Sequence, residues 1–314
     1  MSRFSILWRR IALATGFGVM LSLCHVACAA ARMVVVATTS DVASLVQAVG
    51  GDLVQVRTIV PPMTDPEAFE PRASDLATLS DADLIVRVGL GYDHWLERLA
   101  QRLQRPGLEP GGARWVDTST GVPLLEVGGR DPLDQDGHGH GMANPHYWLD
   151  PVNAETMTAS IAQGMMRLAP GERATIEANR TRFVAALRER LAVWTSRLGP
   201  YRGAAVLAYH NSWPYFARRF RLKVVGFVEV KEGVPPSAAH LSALIAKARQ
   251  DNVRVILQNT YEPRQFSQLL STRTGAPLAM LASSAGSAAQ AADYLRLMDN
   301  NVATLARALA SNRR

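Results

Sequence analysis

The chain has 314 residues, of which 48% are apolar and 19% charged, a globular composition that excludes collagen, coiled-coil and disordered classes. Lys and Arg number 34 against 27 Asp and Glu, a formal net charge of +7. Two cysteines cannot supply a disulfide framework or a four-cysteine zinc site.

Arg3, Arg9 and Arg10 precede an apolar run, Ile11–Leu23, followed by the small-x-small pattern Ala27-Cys28-Ala29. The run is shorter than the roughly 20 residues that a membrane helix needs, so 1–29 reads as a cleavable export signal. Both cysteines, Cys24 and Cys28, fall inside it, and cleavage lowers the net charge from +7 to +4. That modest, scattered charge gives no footprint for nucleic acid. Lipid attachment at Cys28 and twin-arginine export through Arg9-Arg10 are the minor alternatives. The expected location is the periplasm.

From Met33 onward, short β-branched runs alternate with helical patterns. Met33–Thr38, Val54–Val60, Leu84–Val88 and Arg114–Asp117 read as buried strands, and Val42–Val49 and Trp95–Leu103 as helices. After Gly199-Pro200 the pattern restarts, with strands at Ala204–Tyr209, Val224–Val230, Val253–Gln258 and Leu278–Leu281. Helices are expected at Ala238–Arg249, Pro263–Thr272 and Ala288–Leu309. Such alternation predicts an α/β fold of two parallel-sheet lobes with four strands each. Between them, Ile176, Phe183, Leu187, Leu191, Trp194 and Leu198 form one apolar stripe with no internal breaker. A long, stiff helix over 170–199 is therefore expected, joining lobes at 30–169 and 200–314.

Ligands of parallel α/β sheets bind beyond the carboxyl ends of the strands. The proline-rich stretch Val60–Pro71 follows the second strand and aims Glu67 or Glu70. His138 and His140, in a Gly-rich loop, and His146 follow the fourth strand. His210 follows the fifth, Glu229 the sixth and Asn259 the seventh. His94 and His240 sit on helices and read as surface and capping residues. Two histidines and a carboxylate on different strand ends suit zinc, manganese or iron(II), with water in an open position.

At these residues the sequence resembles the periplasmic metal-binding proteins of bacterial zinc and manganese ABC importers, the group of zinc-uptake proteins and adhesin-type lipoproteins. The matching segments are Val60-Pro61-Pro62 with Asp65-Pro66-Glu67 and Glu70-Pro71, Gly89–Leu96, Asn144–Pro151, Tyr209–Phe220 and Tyr294–Leu305. Together they cover the chain from about Met33 to its end. The resemblance implies two α/β lobes joined by a long helix, with a divalent ion held between them as cargo for a membrane permease. It implies ligation by His146, within Pro-His-x-Trp-Leu-Asp-Pro, and by His210. The family's first histidine is Glu67 here. Its carboxylate after the last strand is absent from Leu281-Ala282-Ser283-Ser284, so either water completes the site or another group enters: Glu229, which also ends a strand of the second lobe, is the candidate, and Asn259, by its amide oxygen, the weaker one. His138 and His140 are expected to capture metal as auxiliary groups.

The expected function is a non-enzymatic solute-binding protein, a monomer, carrying zinc first and manganese or iron(II) next. The alternatives are an exported metal-dependent hydrolase and a binder of a metal chelate such as a siderophore or corrinoid. The sequence lacks His-Glu-x-x-His and a nucleophile elbow, and a chelate would need a wide, aromatic or Arg-lined cleft, whereas the His and Glu set argues for a bare ion.

Overall fold

The computed structural model describes residues 32–126, 143–231, 233–282 and 284–312. The expected export signal, Cys28, His138 and His140 therefore lie outside the described residues. In the first half, β1 (Met33–Ala37), β2 (Val54–Thr58), β3 (Leu84–Arg87) and β4 (Trp115–Asp117) form a parallel sheet of order β2-β1-β3-β4. In the second, β5 (Ala205–Ala208), β6 (Lys223–Phe227), β7 (Val255–Asn259) and β8 (Leu278–Leu281) form a parallel sheet of order β6-β5-β7-β8. The two orders are the same, so the second half repeats the topology of the first. In β1, Val35 pairs with Val56 on one side and Leu84 on the other. Strands flanked on both sides and covered on both faces bury nearly every side chain, which is why they read as continuous apolar runs.

The helices are α1 (Ser40–Gly50), α2 (Ala73–Ser80), α3 (Trp95–Leu103), α4 (Asn153–Leu168), α5 (Arg173–Leu198), α6 (Pro214–Phe220), α7 (Ala238–Gln250), α8 (Arg264–Thr274) and α9 (Tyr294–Ser311). Three of them, α2, α4 and α6, have no counterpart among the expected elements. Two are short, and α4 starts after Val152 without a side-chain cap that would announce it. The expected helix over Ala288–Leu309 divides: Ala289–Ala291 forms a single 3₁₀ turn, and Asp293 caps a new helix by accepting from Arg296 N at 2.9 Å.

Helix α5 runs for 26 residues, about 39 Å, between 3₁₀ turns at Pro170–Glu172 and Gly199–Tyr201. It buries Ile176, Phe183, Val184, Leu187, Trp194 and Leu198 and packs against α1, α4 and α9. One apolar cluster passes through it from Val35 and Val86 of the first sheet to Leu257 and Leu281 of the second. Separate clusters cover the other faces, around Ile85 and Leu96 in one half and Ile256 and Leu270 in the other. These contacts gather Arg32–Arg314 into one compact unit.

Candidate metal centre

Glu67, His146, His210 and Glu229 each stand on a segment that follows the carboxyl end of a strand, and Asn259 ends β7 itself. On the β2–α2 loop, Thr64 N donates to Pro61 O, and Met63 takes a left-handed conformation at φ 67°. Asp65 then turns the chain back, its Oδ1 accepting from Glu67 N at 3.0 Å. This Asx-type turn and the flanking prolines fix Glu67, while Glu70 is exposed. Burial raises the Asp65 pKa above the usual carboxylate range, and the Glu67 charge raises it further.

His146 opens the 3₁₀ turn Tyr147–Leu149 and is buried. The segment around it is pinned from both halves. Tyr147 OH donates to Val88 O at 2.6 Å, and Tyr294 OH of α9 donates to Trp148 O at 2.6 Å. Asp150, fully buried, accepts from Nε and Nη2 of Arg219 on α6 at 2.6 and 2.9 Å. The Tyr92 ring meets His146 edge-on, with centroids 5.3 Å apart. Tyr92 is presented by a β3–α3 loop whose tight turn needs glycine. At Gly89 φ is +86°, and a Cβ there would lie 2.4 Å from Asp117 Oδ1.

His210 follows β5 after Tyr209. Its Nε2 lies 3.5 Å from Glu67 Oε2, and His146 Nε2 lies 3.7 Å from the same oxygen. The two imidazoles are 5.8 Å apart, centroid to centroid. Among the described residues, Glu67, His146 and His210 form a group whose potential ligand atoms lie within 4.8 Å of one another. Glu229 stands one step outward. Its Oε2 is 3.0 Å from His210 Nδ1, and its Oε1 accepts from Gly233 N at 2.8 Å. Burial works against a charged His210, but hydrogen bonds and charge from Glu229 and Glu67 outweigh it and hold the pKa well above the ordinary imidazole value.

Among the described residues, the loop after β8 brings no carboxylate to this group. Ala282 is clamped by Asn301, whose Oδ1 accepts from Ala282 N at 2.8 Å, and Ala285 N donates to Asp41 Oδ1 at 2.9 Å. Asp41, in the first turn of α1, is fully buried, and burial pushes its pKa up to about 7. Asn259 faces the His210 loop through Ser212 Oγ at 3.1 Å and is held by Glu262, whose pKa burial pushes up to about 7. His94 is exposed, and His240 Nε2 donates to Phe227 O at 2.9 Å beside the Ser237 cap. Sequence reasoning passed over Asp41 and Glu262, since a lone acid in the first turn of α1 or in the β7–α8 loop carries no spacing signal.

A family model described as "Zinc-uptake complex component A periplasmic" matches residues 35–308. The chain belongs to this family. Its members are non-enzymatic solute-binding proteins for metal uptake, which removes the hydrolase alternative. The high-affinity zinc uptake system protein ZnuA of Paracoccus denitrificans is 27% identical over 276 residues, covering 76% of this chain and 80% of that one. The zinc-binding lipoprotein AdcA of Streptococcus pneumoniae is 25% identical over 284 residues; the match takes in 87% of this chain but only 55% of the lipoprotein. The solute-binding protein FpvC of Pseudomonas aeruginosa, solved with Mn2+, superposes with a TM-score of 0.77 at 26% identity, covering 89% of this chain and 99% of that one. No helix among the described residues is long and apolar enough to cross a membrane.

Proposed function

We propose that the protein captures a divalent transition-metal ion as cargo, zinc first and manganese or iron(II) next, and delivers it to an ABC permease outside the cytoplasm. The observation that carries this reading is the convergence of Glu67, His146 and His210 from three strand ends. Their Nε2 atoms and carboxylate supply three ligands and leave one coordination position open. Glu229 acts through His210: it accepts the Nδ1 proton and leaves Nε2 for the ion. The relatives named for zinc support zinc, while the carboxylate at Glu67 hardens the site and keeps manganese close behind. Export follows from a leader over 1–29, the lobes are 30–169 and 200–314, and His138 and His140 serve as auxiliary captors. The protein works as a monomer.

The test is metal content of protein purified without chelator or metal-affinity resin, followed by calorimetry with zinc and manganese. Zinc in stoichiometric amount is expected, and His146→Ala and His210→Ala are each expected to abolish tight binding while the melting transition persists. Native affinity in both variants would remove these residues from the site.

A further inference from the structure

We propose that Asn144 is the positioning residue for His146, fixing the tautomer of its imidazole, and that Glu126 and Asn211 lock Asn144 in the orientation this requires. The inference rests on the metal-site reading above and extends it to a residue that touches no ion.

Asn144 is fully buried and uses all its polar atoms. Its Oδ1 accepts from His146 N at 3.0 Å and lies 3.2 Å from His146 Nδ1. Its Nδ2 donates to Glu126 Oε2 and to Asn211 O, both at 3.0 Å. The backbone is engaged as well: Asn144 N donates to Leu125 O at 3.1 Å, and Tyr215 OH donates to Asn144 O at 2.9 Å.

This pattern settles which end of the amide faces the ring. Turned over, the amide would point NH2 at a backbone N–H and its oxygen at a carboxylate and a carbonyl. Glu126 is itself held, since Asn211 Nδ2 donates to the same Oε2 at 2.9 Å, and it adopts a left-handed backbone at φ 53°. An amide oxygen only accepts, so His146 carries a proton on Nδ1, and Nε2, 3.7 Å from Glu67 Oε2, is the nitrogen left for the ion. Asn211 directly follows His210, so the same hydrogen bonds link the loops that carry both histidines. His210 receives the matching treatment from Glu229. One histidine is thus aimed by a neutral amide and the other by a carboxylate.

The experiment measures zinc affinity by chelator competition and the ring-nitrogen NMR shifts of His146 in Asn144→Ala and Asn144→Asp. Asn144→Ala is expected to weaken zinc roughly ten- to a hundredfold and to move the His146 shifts away from the Nδ1–H pattern. Asn144→Asp keeps an acceptor oxygen against Nδ1 but sets its other oxygen against Glu126 Oε2, so it is paired with Glu126→Gln, which supplies a donor there, and the double variant is expected to retain that pattern. Native affinity with unchanged shifts in Asn144→Ala overturns the proposal. Should Asn144→Ala fail to fold, loss of the Nδ1–H pattern in the double variant Asn144→Asp with Glu126→Gln overturns it instead. The metal-site reading fails separately, by native zinc affinity in His146→Ala.

Discussion

His210 sits between two carboxylates, Glu229 at 3.0 Å from Nδ1 and Glu67 at 3.5 Å from Nε2, and so holds a proton that an incoming cation must displace. Its pKa in the metal-free protein is raised, which sets the sign of the pH dependence. Above that pKa the proton has already left and affinity levels off. Below it, affinity falls by about tenfold per pH unit for each displaced proton. Glu229→Gln removes one of the charges that raise the pKa, so the break in a plot of zinc affinity against pH should move to lower pH. A profile identical to that of the unmodified protein would show that Glu229 has no hold on His210. The residues legible in the sequence were those with a directional signal: the prolines around Glu67, and His146 and His210 at strand ends. Asp41 gave no such signal, because its importance comes from Ala285, 244 positions away.

At the scale of the element, α5 carries its own evidence in the sequence. Of its stripe, Ile176, Phe183, Leu187, Trp194 and Leu198 are buried as the spacing required, and Leu191 is half-buried. Trp194 is 2% exposed, and its Nε1 donates to Asp299 Oδ1 on α9 at 2.8 Å, so one side chain fastens α5 to the last helix. Trp194→Ala should lower stability by about 3–5 kcal/mol through the cavity left behind, read as a shifted denaturant midpoint. A shift below about 1 kcal/mol would mean that α9 collapses onto the gap. The helices α2 and α6 stayed hidden, because eight and seven residues span barely two turns and carry too few positions to establish a period.

Across the whole molecule, the two halves are fastened at several points besides α5. Arg219 grips Asp150, Tyr294 reaches Trp148 O, Asp41 accepts from Ala285, and Ser44 Oγ accepts from Tyr294 N at 2.9 Å. A continuous apolar cluster runs beneath these bonds. Such fastening favours small adjustments around the ion over a wide hinge motion. X-ray scattering with and without zinc should therefore give nearly the same radius of gyration. A marked contraction on zinc addition would instead show that these bonds break and reform.

By itself the sequence determined the two repeating α/β halves, the long helix between them, and the strand ends that carry Glu67, His146 and His210. All of these are written in local pattern, because burial on both sheet faces and on one helix face imposes a period on the chain. Only the tertiary structure decided that one oxygen of Glu67 lies between both imidazoles. It alone placed Glu229 on Nδ1 of His210, and Asn144, Glu126 and Asn211 in one buried network. Those relations join residues 18 to 143 positions apart, and the distances between them follow from how the sheets pack. Periodicity along the chain names the face a residue belongs to, while packing chooses the atom it meets.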